Sequence, residues 1–288
     1  SRGLGDVYKR QGSILSLFLR DAAATSKLEK KITYTLLNNN RFSEGYGLNP
    51  LMVGKLSSAG LVITVDNGIS SVEASKMLAE RNIDLIVTDH HIPPAELPIA
   101  HAIIDQKQED CTFPHPEICG AQVAWYLAAS LNKELELGVD MRKYLPLVAV
   151  AIIGDMMPLN HGINRAMVAY GLKMMSETGI PALRAFIEYV NKTTLTSEDI
   201  AFQLSPIMNS AGRMSDAFFA RDFLLSRNIH EARSSLTKLV KFNEERKDIE
   251  KRITEEAIKQ VNPNDKVIVV SGDDTWHEGV LGLSLIHI

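Results

Sequence analysis

Cysteine is nearly absent. The 288 residues hold two, Cys111 and Cys119, which is too few for a disulfide framework and lacks the spacing of a zinc site. Idle thiols in a reducing compartment are the reading that remains. A long apolar run is missing as well. The longest, around Leu145–Ile153, is interrupted by Pro146 and stops at Gly154-Asp155. It falls short of the ~20 residues that a spanning helix needs, so it reads as a buried helix and no membrane partner is expected. The N-terminus lacks the basic, apolar, small-residue order of a signal peptide, and a cytoplasmic location is expected. There is no excess of basic charge: 31 Lys and Arg stand against 35 Asp and Glu, for a formal net charge of −4. This excludes a general basic coat for nucleic acid but leaves room for a local basic groove. Repeats and low-complexity tracts are also lacking. What is present, 45% hydrophobic and 23% charged residues, is the mixture of a folded globular chain long enough for about two domains.

Both ends read poorly. SRGLGDVYKRQ (1–11) shows no helical or strand period and abuts GSILSLFLR without turn logic. It resembles translated adaptor or vector read-through, and LSLIHI (283–288) resembles its counterpart. The native segment is expected to run from about Gly12 to Gly282, cut from a longer gene. Within it, Gly12–Arg20 reads as an apolar helix continuing through Asp21-Ala-Ala-Ala, Lys31–Leu37 as a short strand and Asn38–Gly47 as a polar loop. Leu61–Val65, Asp84–Thr88 and His101–Asp105 read as compact apolar strands, with a helix from Ser70/Ser71 through Glu80 between the first two. The alternation predicts an α/β fold with a parallel sheet. From Gly120 onward helices are expected over Ala121–Leu131, Tyr144–Ile153, Asn164–Ser176 and Pro181–Asn191, with another segment starting at Ser197–Ala201. A long charged helix follows over about His230–Gln260, with Ile249, Ile253 and Ala257 repeating every four residues on a narrow apolar face. Pro263 ends it. Val267–Ser271 then reads as the first strand of a second, truncated domain.

The polar tips carry the chemistry. Val65-Asp66, Thr88-Asp89 and Gly154-Asp155 each close an apolar segment with an acid. In open parallel sheets ligands sit beyond the carboxyl ends of the strands, so Asp66 and Asp89 are expected to face one crevice, where their charges repel unless a cation lies between them. Carboxylate oxygen with imidazole suits Mn²⁺ or Mg²⁺, and two such ions ~3.5–4 Å apart can clamp a phosphoryl group. A lone Asp after a strand is most often a turn or cap residue, and Asp66 before Asn-Gly fits that well. Asp155, after a strongly apolar run, is expected to be partly buried and to need a partner. The adjacent His90 and His91 serve one site only if the backbone turns there, and a turn is expected from Pro93-Pro94 just after them. The lone His101, His115, His161 and His230 read as surface or packing residues.

The triplet in VTDHH resembles the DHH phosphoesterase superfamily. The order of motifs resembles its RecJ-type branch of single-strand-specific DNA exonucleases: ITVDNGIS (63–70), IVTDHH, LVAVAIIGDMMPL (147–159), LSPIMNSAGRM (204–214), the long charged helix, then WHEGVLG (276–282), with RFSEGYGLN (41–49) and ICGAQVAWYLA (118–128) in the same style. The resemblance implies a DHH domain over 12–229, a connecting helix over 230–262 and a truncated DHH-associated domain over 263–282. It implies that Asp66 bridges two metal ions, that His90 and Asp155 are metal ligands, that Asp89 orients a histidine or the substrate, and that His91 faces the scissile phosphate. Asn209, Gly212 and Arg213 would meet single-stranded DNA, and His277 and Gly279 would open a phosphate-binding surface. The implied activity is 5′-to-3′ hydrolysis of single-stranded DNA with Mn²⁺ or Mg²⁺, in repair and recombination. Whether it acts alone or with a helicase and a single-strand-binding protein stays open.

Two departures qualify this. The family's Asp-x-Asp-Gly motif precedes the helix that here starts near Gly12, and the adaptor-like stretch stands in its place. The family's LAPRIN pattern reads LSPIMN, with Ile207 where an arginine would contact phosphate. Two further readings stand beside the first: an oligoribonuclease or cyclic-dinucleotide phosphodiesterase of the same superfamily, and an inactive module that binds single-stranded nucleic acid. The stretch Leu183–Gln260 with its NSAGRM favours the exonuclease.

Overall fold

The computed structural model describes residues 8–25, 44–56, 59–160, 162–216, 218–262, 266–273, 276–277 and 279–281. The expected strand Lys31–Leu37 and the first part of the polar loop, 38–43, lie outside the described residues, as does His161.

Three parallel strands form a sheet in the order β1 (Leu61–Val65), β2 (Asp84–Thr88), β3 (Ala102–Ile104). Val65 pairs with Thr88, and Thr88 with Ile104. The three strands therefore end level, and the next residue of each, Asp66, Asp89 and Asp105, lies along one rim. Helix α3 (Val72–Glu80) joins β1 to β2 and buries Ala74 and Leu78, four residues apart on one face. These meet Ile69, Ile83, Leu85 and Val87, together with Val53 of the short α2 (Pro50–Gly54). Asn49 caps α2, its Oδ1 accepting from the Met52 amide at 3.1 Å.

The other face of the sheet leads into a helical body. Helices α1 (Tyr8–Ala23), α4 (Gly120–Glu134), α5 (Leu145–Gly154), α6 (Gly162–Met175), α7 (Pro181–Val190), α9 (Ser205–Met214) and α10 (Phe218–Leu224) share one core with the start of α11 (Ile229–Ile258). Between α7 and α9, Ser197–Asp199 (α8) and a π-helical turn, Ile200–Leu204, continue directly into α9. Every residue of α5 from Pro146 to Ile153 is buried. Burial of each Leu, Val or Ile is worth about 1.5–3 kcal/mol, so packing rather than capping holds this helix. Gly171 of α6 lets the two helices close, because a Cβ there would stand 2.5 Å from Leu145 O and from Ala149 Cβ. Tyr144, buried just before α5, donates from its hydroxyl to Asp21 Oδ2 of α1 at 2.6 Å. Among the described residues, no helix is long and apolar enough to cross a membrane.

Helix α11 is 30 residues long and capped by Asn228, whose Oδ1 accepts from the Glu231 amide at 3.0 Å. Its first half buries Ala232, Leu236 and Leu239 in the helical core. Its second half carries Ile253 and Ala257 into a separate cluster with Trp276 and Val280.

Two expectations are corrected. Helix α1 begins at Tyr8, so helical backbone extends four residues into the stretch read as aperiodic. Val267–Ser271 is not a strand: the segment has no regular hydrogen-bonded structure among the described residues, and Val267 and Val269 stand exposed without a neighbouring strand to pair with. A β-branched run needs such a partner to become sheet.

Candidate metal centre

The site grows from the turns after β1 and β2. Asp66 takes a left-handed backbone, φ 65°, and its amide donates to Thr88 O at 2.8 Å. The strand path is thus broken one residue after Val65, which directs the carboxylate into the rim. Gly68 follows at φ 110°, where a Cβ would press on the Thr64 side chain, so only glycine fits. Asn67 fastens the turn from both sides: its Nδ2 donates to Val65 O at 2.9 Å, and its Oδ1 accepts from the Leu48 amide at 3.1 Å.

Asp89 is buried and takes four donors. Its Oδ2 accepts from the Ile69 amide at 3.0 Å. Its Oδ1 accepts from the His90 and His91 amides at 2.8 and 3.3 Å and from His91 Nδ1 at 2.6 Å. Burial pushes its pKa up, but His91 and the amides outweigh this and hold it below the ordinary carboxylate value. Asp89 therefore stays ionised and fixes both the turn and the His91 ring, which is partly exposed. The turn that two adjacent histidines require is made by this carboxylate, with the ring centroids 4.5 Å apart.

His90 Nδ1 stands 3.1 Å from Ile118 O. A carbonyl can only accept, so Nδ1 carries the hydrogen in the neutral ring. The other nitrogen, Nε2, lies 3.0 Å from Asp66 Oδ1. In that tautomer a lone pair faces a carboxylate oxygen, an arrangement that requires a proton or a metal cation between them. Burial works against a charge on His90, but Asp66, Asp155 and Asp89 raise its pKa overall. Asp66 is fully buried, which raises its own pKa, and Oδ1 lacks a properly directed hydrogen bond. Gly120, the first residue of α4, leaves the space: a Cβ there would overlap Asp66 Oδ1 and Cβ.

Asp155 follows α5 and approaches from the helical side. Its charge bears on His90 and on the buried Cys119, whose thiol is pushed well above its ordinary value by burial first and then by Asp155 and Asp66. Met156 continues in a left-handed conformation, φ 55°, and Met157 N donates back to Ile152 O at 3.1 Å. The helix thus ends in a tight turn with Asp155 at its start. The donor set fits a hard divalent cation in chemistry, offering carboxylate oxygen, a neutral imidazole nitrogen and a cradle shaped by Gly120. Among the described residues, however, no group of three or more His, Cys, Asp or Glu side chains is disposed to hold an ion. Asp66 and His90 are drawn together as a pair; the expected triad with Asp155 is not closed.

The sequence reading missed Asp105. It is buried, its Oδ1 accepts from the Lys107 amide at 2.8 Å, and its Oδ2 has no hydrogen-bond partner among the described residues. Burial and the nearby charge of Asp89 raise its pKa. The signal was available, because Asp105 stands one residue past its strand just as Asp66 and Asp89 do.

The remaining expected residues gather elsewhere. Asn209, Gly212 and Arg213 lie on α9, with Gly212 buried within the helix rather than open to a strand of nucleic acid. Arg213 Nη1 reaches Gly279 O at 3.4 Å. A Cβ on Gly279 would collide with the Arg213 carbonyl, so the two segments touch backbone to backbone. His277 Nδ1 accepts from the Gly279 amide at 3.1 Å. Ile207 is buried in the helical core, an apolar position in this chain.

Comparison with known proteins adds to this geometry. Residues 12–152 match the model of the DHH family, N-terminal domain. Over those residues the chain is similar to the DHH family. Asp66, Asp89, His90 and His91 all fall within the matched residues, while Asp155 lies just past them. The single-stranded-DNA-specific exonuclease RecJ of Bacillus subtilis is 35% identical over 250 residues, covering 85% of this chain and 31% of the relative. RecJ of Escherichia coli is 34% identical over 265 residues, covering 85% and 46%. The chain therefore spans 31% and 46% of the length of these two relatives. Among solved structures, exonuclease RecJ bound to manganese superposes with a TM-score of 0.83 at 29% identity, covering 98% of this chain and 71% of that one. RecJ of Thermus thermophilus in complex with Mn²⁺ gives 0.79 at 27% identity, covering 98% and 40%.

Proposed function

We propose that this chain is the DHH part of a RecJ-type, metal-dependent exonuclease that hydrolyses phosphodiester bonds of single-stranded DNA from the 5′ end, in repair and recombination. The observation that carries this reading is the facing of Asp66 Oδ1 and His90 Nε2 across 3.0 Å at the sheet rim. Asp66, His90 and Asp155 would hold Mn²⁺ or Mg²⁺, the ions named for the solved RecJ structures. A divalent ion so bound supplies an acidified water and neutralises charge on phosphoryl oxygens. The protein's own part is positional. Asp89 holds the His91 ring by Nδ1 and leaves Nε2 outward, where it can hydrogen-bond a phosphate oxygen or pass a proton to it. Arg213, with its planar fork, and His277 and Gly279 would contact the strand's phosphates, with Asn209 beside them on α9.

The division into 12–229, 230–262 and 263–282 is part of the proposal, as are a cytoplasmic location, the absence of a membrane partner, and work alongside a helicase and a single-strand-binding protein. The test is Mn²⁺-dependent release of mononucleotides from a 5′-labelled single strand by the chain extended into its flanking coding sequence. His90→Ala combined with Asp155→Ala is expected to abolish it. An undiminished rate in that double variant removes the metal assignment.

A second reading is favoured by one observation, that among the described residues no group of three or more His, Cys, Asp or Glu side chains is disposed to hold an ion. On this reading the 288-residue chain by itself binds single-stranded nucleic acid without cutting it. Calorimetry with Mn²⁺ separates the two: one weak ion or none supports the binding module, whereas two tight ions contradict it.

A further inference from the structure

We propose that Gln106 is a positioning residue for His90, acting through the Ile118 carbonyl that both side chains share. Gln106 follows β3 by two residues and is 92% buried, its relative exposure being 8%. Its amide Nε2 donates to Pro116 O at 2.8 Å and to Ile118 O at 3.2 Å. Both hydrogens of one amide group are thus used to hold two carbonyls of the segment that leads into α4. Ile118 O has a second lone pair, and that one accepts from His90 Nδ1 at 3.1 Å.

The orientation of the amide follows from these partners. Turned over, Gln106 would set Oε1 against two carbonyl oxygens. In the orientation observed, Oε1 is buried with no hydrogen-bond partner among the described residues. An unsatisfied buried acceptor costs about 1–3 kcal/mol, so the two carbonyl contacts outweigh a real penalty.

The consequence falls on His90. A neutral imidazole beside a carboxylate has a competing choice, which is to place its hydrogen on Nε2 and donate it to Asp66 Oδ1. That choice closes the pair and removes the lone pair a cation needs. The Ile118 carbonyl opposes it by accepting from Nδ1, but only while it is held at the right place. Gln106 holds it there, from a strand tip that neither histidine occupies. Partners of this kind fix the tautomer and ring direction of metal-binding histidines. The inference rests on the reading of His90 as a metal ligand for its consequence, though not for the tautomer itself.

The test uses the full chain labelled with ¹⁵N-histidine, with His90→Asn to assign the signal. Long-range ¹H–¹⁵N correlation, at a pH well above the histidine range, is expected to show His90 as the Nδ1–H tautomer. Gln106→Met keeps the size and removes the donors. It is expected to shift His90 towards Nε2–H and to weaken binding of Mn²⁺ alone, read by calorimetry, by about tenfold or more. Should Gln106→Met not fold, Gln106→Glu also lacks the amide hydrogens and is expected to behave alike. An Nε2–H tautomer in the unaltered chain overturns the proposal, and so does a variant that leaves both tautomer and affinity unchanged. A tautomer that responds to Gln106→Met in a chain that never binds Mn²⁺ supports the positioning role and sinks the metal reading instead.

Discussion

Asp89 accepts four hydrogen bonds, and all its donors lie in the turns after β1 and β2. It ties the amides of Ile69, His90 and His91 to the His91 ring. Replacing it by Asn keeps the shape but sets an amide hydrogen where a donor already points and removes a charge that His91 Nδ1 meets at 2.6 Å. Breaking one partner of a buried pair costs roughly 3–5 kcal/mol, less where the other partner reaches water as His91 does. Urea denaturation at neutral pH is expected to show Asp89→Asn destabilised by about 2–3 kcal/mol; a loss under 0.5 kcal/mol would mean that Asp89 does not organise the turn. Gly120→Ala should act differently. It fills the space beside Asp66, so it is expected to disturb the Asp66–His90 pair more than the sheet, lowering Mn²⁺ affinity at least tenfold, read by calorimetry. The aspartates and histidines of this rim were legible in the sequence because each terminates an apolar strand. Asp105 obeys the same rule but reads as strand when the end of its three-residue strand is set one position too late, and Gln106 was not legible. Gln106 has no chemistry of its own that would single it out; its meaning comes from two carbonyls ten and twelve residues away.

At the scale of elements, the informative features are helix ends. Met156 stands in the left-handed region after α5, where glycine is the residue without penalty, and its side chain is exposed. Met156→Gly is expected to raise stability by about 1 kcal/mol, measured by thermal unfolding, and an equal loss would show that the methionine makes contacts that offset the strain. Asp199 secures the entry to the π-turn and α9. It accepts from the Thr196 amide at 2.9 Å and from Lys192 Nζ at 2.5 Å. These partners, led by Lys192, depress its pKa from 3.8 to about 2. A carboxylate depressed on folding contributes stability above its unfolded value and loses it as the pH falls through the folded one. The contribution is therefore complete above about pH 4 and lost towards pH 2. Asp199→Asn is expected to flatten the melting temperature against pH in that window, and an unchanged slope would contradict the assignment. Helix placement was readable from apolar spacing, to within a few residues at each end. The π-turn was not, since it arises where α8 runs into α9 through Ile200–Leu204 rather than from any period.

The whole molecule joins two kinds of packing. The sheet has its own small core and the helices share a large one, and α11 leaves that body to end in a third cluster around Trp276. Trp276 Nε1 donates to Glu256 Oε2 at 2.6 Å, so the tryptophan is held by α11 on both its apolar and polar sides. Trp276→Ala is expected to speed hydrogen exchange at Ile253–Ala257 and 279–281 while leaving α5 protected. Equal deprotection of α5 would mean that the clusters unfold as one. The alternation of apolar strands with helices made the α/β architecture readable in advance, and the four-residue apolar repeat made the long helix so. Val267–Ser271 misled because β-propensity describes a surface for a neighbouring strand and says nothing about whether that neighbour is there.

The central claim is that Asp66 and His90 are held to share a divalent cation. Crystals of the chain soaked in Mn²⁺ and measured at the manganese absorption edge test it most directly. The account predicts an anomalous peak about 2 Å from both Asp66 Oδ1 and His90 Nε2, with His90 Nδ1 still directed at Ile118 O. Manganese bound only elsewhere, with the Asp66–His90 contact still closed at 3.0 Å, would contradict it.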